Sequence, residues 1–224
     1  VNFDYNRIAG DILMKALFLY GANCNATVWD TLLPHLASWE CDVVSYPHDV
    51  TLYAHTVDDI TQWVEKTKCG SEYDVIVGHS LGGLVALSLA SQAHMAVGRV
   101  ICLDTNLCPA GPFFRNLMTD VHMEQYGNQV KAMLMSERKF FSVELLHSVQ
   151  ENFDYTPLLY NIHCPIALLL GDRNTVNAKE HLSELNLPAS AYKMMDIHFV
   201  PNACHMQMIE NPEALANMLK EICQ

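Results

Sequence analysis

The sequence Gly78-His79-Ser80-Leu81-Gly82 sets a serine between two glycines, directly after the apolar run Asp74-Val75-Ile76-Val77 and just before the helix-forming stretch 83–90. A strand that becomes a helix within one residue forces the side chain between them into an exposed, strained position, and small neighbours keep that position clear. Ser80 is therefore read as a nucleophile. A serine hydroxyl attacks only when a base takes its proton, and imidazole is the usual base near neutral pH. His205 is the candidate, because it follows the apolar stretch 193–200 through Pro201-Asn202-Ala203-Cys204. The edge where parallel strands end is where sites form. The oxyanion of an attacked carbonyl needs two fixed N–H donors. One is expected from Leu81, which follows the nucleophile, and the other from Ala22 in the turn Tyr20-Gly21-Ala22-Asn23. This set of groups suits acyl transfer and needs no cofactor.

The elements that must position these residues follow from the pattern of apolar runs. Residues 15–20, 43–46, 74–77, 99–103, 165–170 and 193–200 read as strands, and the alternation at Val1, Phe3 and Tyr5 suggests a further edge strand. Helix-length segments separate most of them, with apolar residues at 57, 60 and 64 in one case. Asn211-Pro212 opens a last helix whose apolar face is Leu215, Met218, Leu219 and Ile222. Alternating strands and helices predict an α/β fold with a mainly parallel sheet covered on both faces. Between Asp104 and Asn161 the alternation breaks, and a segment rich in Met, Phe and Tyr is expected to form a small helical insertion.

Composition narrows the function classes. The 25 acidic and 13 basic residues of the 224-residue chain give a formal charge of −12, which disfavours nucleic acid and anionic membranes as partners. No apolar run is long enough to span a membrane, and no basic-then-apolar leader opens the sequence, so the expected compartment is the cytoplasm. The eight cysteines form no C-x-x-C pair and read as free, mostly buried thiols. The eleven histidines show no local metal-ligand spacing, so no metal site is expected.

The chain resembles the α/β-hydrolase superfamily along essentially its whole length. Gly78-His79-Ser80-Leu81-Gly82-Gly83 is similar to that family's nucleophile elbow, His205 with Glu210-Asn211-Pro212 to its histidine block, and Gly21 with Trp29 to its oxyanion loop. The resemblance implies the α/β-hydrolase fold, with residues 1–104 and 162–224 as a single core and 105–161 as a helical cap. It also implies a Ser-His-acid triad. Many relatives carry the acid three residues past a glycine after the penultimate strand, where Gly171-Asp172-Arg173-Asn174 offers asparagine. Three readings follow. Asp104, at the end of the strand after the elbow helix, takes the place used by some lipases and haloalkane dehalogenases and ranks first. Asp172, brought in by a shifted loop, ranks second, and Asn174 unaided ranks third.

The expected activity is a cofactor-free serine hydrolase that cleaves a small apolar or aromatic ester, thioester or amide through an acyl-enzyme on Ser80. Two alternatives stand beside it. One is a lyase on the same fold, like the MenH type of menaquinone synthesis. The other is a binding or signalling module whose catalysis has weakened, with Asn174 as the trace. The partner is a small-molecule substrate, and the sequence does not give the oligomeric state.

Overall fold

The computed structural model describes residues 13–92 and 95–224, so the edge strand expected at residues 1–5 lies outside the described part. The strands are β1 (Met14–Leu19), β2 (Trp39–Val43), β3 (Glu72–Tyr73), β4 (Val75–His79), β5 (Ala96–Val97), β6 (Val100–Leu103), β7 (Ile166–Gly171) and β8 (Asp196–Val200). Six of them form one sheet in the order β2-β1-β4-β6-β7-β8, and β3 pairs with β5 in a separate two-residue ladder. Every pairing is parallel. Strands β4, β6 and β7 are buried along their whole length. Their unbroken apolar runs follow from burial on both faces.

The helices are α1 (His48–Tyr53), α2 (Val57–Thr67), α3 (Leu81–Ser91), α4 (Pro112–Arg115), α5 (Asp120–Glu137), α6 (Val143–His147), α7 (Ala189–Tyr192), α8 (Gln207–Glu210) and α9 (Pro212–Ile222). From β1 the chain steps outward to β2, whereas every later step moves across the sheet in the other direction. Right-handed crossovers in opposite directions put their helices on opposite faces. The contacts agree: α2 packs on α3, while α9 packs on the 3-10 turn Leu33–Leu36 between β1 and β2. The point where the direction reverses lies between β1 and β4, and in open α/β sheets that crevice is where ligands bind.

Several strand expectations shift. The third strand is β2 at Trp39–Val43 rather than 43–46. It is the edge strand and stays partly exposed, so its mixed Trp-Glu-Cys-Asp-Val sequence carries no continuous apolar run. The stretch 193–200 narrows to β8, because α7 and a turn occupy the residues before it. The short β3 and β5 gave no signal at two residues each. Only Cys24, Cys102 and Cys204 are buried, with Cys69 exposed and the other four between, so the cysteines are free thiols but not mostly buried ones. Among the described residues, no helix is long and apolar enough to cross a membrane.

Candidate active site

Backbone conformation marks one edge of the sheet before any side chain is considered. Of the eight non-glycine residues with positive φ among the described residues, two, Asn152 and Asn186, lie elsewhere, and six are Asn23 after β1, Ser80 after β4, Asp104 after β6, Arg173 and Asn174 after β7, and Asn202 after β8. Such conformations cost of order 1–3 kcal/mol each and persist where surrounding structure over-determines them. All six lie at the carboxyl ends of sheet strands.

Ser80 sits between the last residue of β4 and the first of α3 with φ 53° and ψ −120°. Its carbonyl accepts from Thr105 Oγ1 at 3.1 Å and from the Gly83 amide at 2.9 Å, and its amide donates to the Leu103 carbonyl at 2.9 Å. These bonds pin the turn on both sides. The glycines around it are set by close approach. A Cβ at Gly82 would collide with the backbone carbonyls of Leu19 and Tyr20, and one at Gly21 would lie 2.9 Å from both His79 Nδ1 and Ser80 Cβ. The turn after β1 is thereby held against the serine. Neither the Ala22 nor the Leu81 amide has a backbone carbonyl partner among the turn and loop hydrogen bonds of the described residues.

The neighbour of the serine fixes the loop that carries the base. His79 Nε2 donates to the His205 carbonyl at 3.0 Å, and the two rings lie 4.6 Å apart. Burial, and then the nearby His205, depress the His79 pKa to about 3, so this imidazole is neutral. The end of β7 presses on the same loop, since a Cβ at Gly171 would strike the carbonyls of Ala203 and Cys204.

Of the three acid readings, Asp104 is the one whose carboxylate meets the candidate base: His205 Nδ1 donates to Asp104 Oδ1 at 3.2 Å. With its proton on Nδ1, the ring keeps the Nε2 lone pair as the acceptor that a general base requires. The Asp104 carboxylate is fully buried. It also accepts from Arg173 Nη1 at 2.9 Å, Arg173 Nη2 at 2.8 Å, the Gly171 amide at 3.0 Å and Gln207 Nε2 at 3.4 Å. Burial alone would raise its pKa. The Arg173 charge and the hydrogen bonds from His205 and Arg173 outweigh burial and hold the carboxyl well below the usual range. Asp172 instead accepts from the Asn174 amide at 2.9 Å in a surface turn. Asn174 is exposed, and among the described residues neither one hydrogen-bonds His205.

Sequence reasoning missed Arg173. It occupies the turn in which the acid was sought, and its guanidinium also reaches the Phe114 carbonyl at 3.2 Å and lies over the Phe113 and Phe114 rings. Charge alone could not have flagged it, because a single arginine in a turn is ordinary. Gln207 and Glu210 were visible only as part of the block after His205. Glu210 Oε2 accepts from the Cys204 amide at 2.6 Å, and Oε1 lies 2.9 Å from His122 Nδ1 on α5.

The donor atoms of His122, Cys204 and Glu210 lie within 4.8 Å of one another, a buried group that could converge on a cation. Local spacing could not reveal a set that joins His122 to Cys204 and Glu210, far along the chain. The hydrogen bonds just given already satisfy the Glu210 carboxylate. The segment between β6 and β7 is helical, and Phe114, Val130 and Phe141 in it are buried against the body rather than open to a ligand. Leu117 is 53% exposed, and its carbonyl accepts the His205 amide at 3.2 Å.

Comparison with known proteins adds independent findings. Residues 50–157 match the family model "Esterase". Esterase Rv0045c of Mycobacterium tuberculosis is 26% identical over 138 residues, which is 59% of this chain and 44% of that protein. The chain thus spans less than half the length of this curated relative. Among solved structures, a hydrolase from Oleispira antarctica superposes with a TM-score of 0.72 at 13% identity, covering 94% of this chain and 90% of that one. A lipase-esterase related protein from Clostridium acetobutylicum gives 0.68 at 14% identity, covering 96% of both chains. Naproxen esterase from Bacillus subtilis gives 0.64 at 16% identity, covering 95% and 84%.

Proposed function

We propose that this chain is a serine hydrolase of the α/β-hydrolase superfamily that cleaves a carboxylic ester through an acyl-enzyme on Ser80, a reading that the esterase match and the shared fold support. His205 takes the Ser80 proton as the hydroxyl attacks the carbonyl carbon. The amides of Ala22 and Leu81 stabilise the oxyanion, and His205 returns the proton to the leaving alcohol. Water, deprotonated by the same imidazole, then releases the acid. Asp104 holds the ring in the tautomer with Nδ1–H and favours the imidazolium that forms. The observation that carries this reading is the 3.2 Å contact between His205 Nδ1 and a buried carboxylate. The strained conformation of Ser80 one residue from His79, which binds the His205 loop, supports it.

Residues 105–161 form the cap over this site in our reading, and the exposed Leu117, whose backbone carbonyl binds the His205 amide, supports an apolar acyl group. The esterase match and the esterases among the structural neighbours favour an oxygen ester over a thioester or amide. A scaffold with weakened catalysis was motivated by Asn174, and that motive lapses once a carboxylate meets His205 from elsewhere. The test is a stopped-flow assay with p-nitrophenyl esters of increasing acyl length in 18O-labelled water. The proposal expects a burst of one p-nitrophenolate per chain, followed by one labelled oxygen in the acid product. Phenolate released with no burst and no acyl adduct on Ser80 in the quenched protein would overturn the acyl-enzyme reading.

A further inference from the structure

The longest cap helix touches both loops on which this mechanism depends. Near its start, His122 Nδ1 donates to Glu210 Oε1 at 2.9 Å, and the other oxygen of Glu210 accepts the Cys204 amide immediately before His205. One turn further on, Tyr126 Oη donates to the Glu210 carbonyl at 3.0 Å. At the last residue of the helix, Glu137 Oε1 accepts from Asn25 Nδ2 at 2.9 Å. Asn25 caps the 3-10 turn that follows Gly21-Ala22-Asn23, so this bond fastens the oxyanion loop. His122 and Glu137 are separated along the helix by about 22 Å at 1.5 Å per residue. Residues 122, 126, 130, 133 and 137 recur at spacings of three and four, and so share the face turned toward the body. Val130 is buried on that face, and Tyr126 and Met133 pack against the core.

His122 and Glu210 are both buried, and the Glu210 side chain is fully enclosed. A buried carboxylate is tolerated only when hydrogen-bonded, and here its two oxygens divide between the cap helix and the base loop. Glu210 is therefore a rigid link rather than a solvated surface acid. The loop is tied to the cap a second time by the His205 amide on the Leu117 carbonyl. At the far end Glu137 also meets His48 Nε2 at 3.2 Å, which fixes the carboxylate that holds Asn25.

We infer that α5 is a strut that sets the distance between the base and the oxyanion hole, with His122 and Glu137 as positioning residues at its two ends. The inference rests on the proposed hydrolase reading for its catalytic consequence, but its structural content does not. A cap joined in this way is part of the catalytic apparatus, so movement of α5 would shift His205 and the Ala22 amide together.

The test compares His122→Phe, which removes the donor, with His122→Asn, whose amide nitrogen can stand near the position of Nδ1. Glu137→Ala and Glu137→Gln form the matching pair at the other end. Two readouts are taken on folded protein: amide hydrogen exchange in residues 203–206 and 22–26, and the second-order rate at which a fluorophosphonate labels Ser80. We expect His122→Phe to speed exchange at 203–206 and slow labelling, each by about tenfold, the factor attached to one lost buried hydrogen bond. His122→Asn should return both to within about threefold. Glu137→Ala should speed exchange at 22–26, and Glu137→Gln should restore it. Wild-type exchange and labelling in both His122→Phe and Glu137→Ala would overturn the inference. If His122→Phe does not fold, unchanged exchange at 22–26 in folded Glu137→Ala overturns it alone. A wild-type chain that never labels would count against the hydrolase reading, while the exchange results still decide the strut.

Discussion

Replacing Asp104 by asparagine separates the two roles that the structure gives this carboxylate. Toward His205 it is a charge 3.2 Å from a ring that becomes cationic in the proposed acylation. Two unit charges about 4 Å apart at an effective dielectric near 20 attract by about 4 kcal/mol. Arg173 already neutralises part of that charge through two hydrogen bonds of 2.8 and 2.9 Å. We therefore expect a loss of about 3 kcal/mol in transition-state stabilisation, a factor of roughly 150 in the rate of Ser80 acylation. Toward Arg173 the carboxylate is the counter-ion of a buried cation. Removing one partner of such a pair costs about 3–5 kcal/mol of stability. The double variant Asp104→Asn with Arg173→Met should recover most of that stability, since no charge is then stranded, and none of the activity. Urea denaturation gives the stabilities, and the single-turnover burst gives the rates. Asp104→Asn with a wild-type burst, or a double variant that regains activity with stability, would refute the assignment of Asp104 as the acid.

The other predictions concern the neighbours of this carboxylate. Asp172→Asn and Asn174→Ala should change the burst rate by less than about twofold, because both residues sit in a surface turn; a hundredfold loss in either would return the acid to that turn. Gly21→Ala should lower the acylation rate by at least about tenfold with little effect on ester KM, because its Cβ must push the oxyanion loop away from His79 and Ser80. Steady-state kinetics on a p-nitrophenyl ester checks it. His79 gives a pH dependence of stability. Its pKa falls from 6.5 to about 3 on folding, so the unfolded chain binds more protons and stability is lost as pH falls through this window. The loss between pH 7 and pH 5 should be about 2 kcal/mol. His79→Gln keeps a donor for the His205 carbonyl and should flatten that slope in urea titrations, whereas an unchanged slope would show that the charge enters elsewhere.

How much of this was legible in the sequence depended on how local each signal was. The elbow could be read because its turn, its strand and its helix are contiguous, and the buried strands could be read because both of their faces are covered. The edge strand β2 was misplaced for the opposite reason, since a half-exposed strand carries polar residues. Ser80, His205, Ala22 and Leu81 were singled out by their positions after strands or turns, and the fold puts each at the same edge. The acid was left open because its identity depends on which of two neighbouring strand ends, β6 or β7, presents a carboxylate to His205. No run of residues encodes that choice. Arg173, at the end of β7, turns inward to pair with Asp104 at the end of β6, and the turn it belongs to faces solvent. His122 had no sequence signature, because its partner lies far along the chain and an isolated histidine on a helix is unremarkable.

Covalent labelling asks without intermediaries whether Ser80 is an activated nucleophile. Folded protein is treated with a fluorophosphonate, weighed intact and then mapped by peptide mass. One adduct per chain is expected, on Ser80, absent from Ser80→Ala and formed at least about a hundredfold more slowly in Asp104→Asn. A folded wild-type chain that gains no mass, or gains it at a residue other than Ser80, would contradict the account.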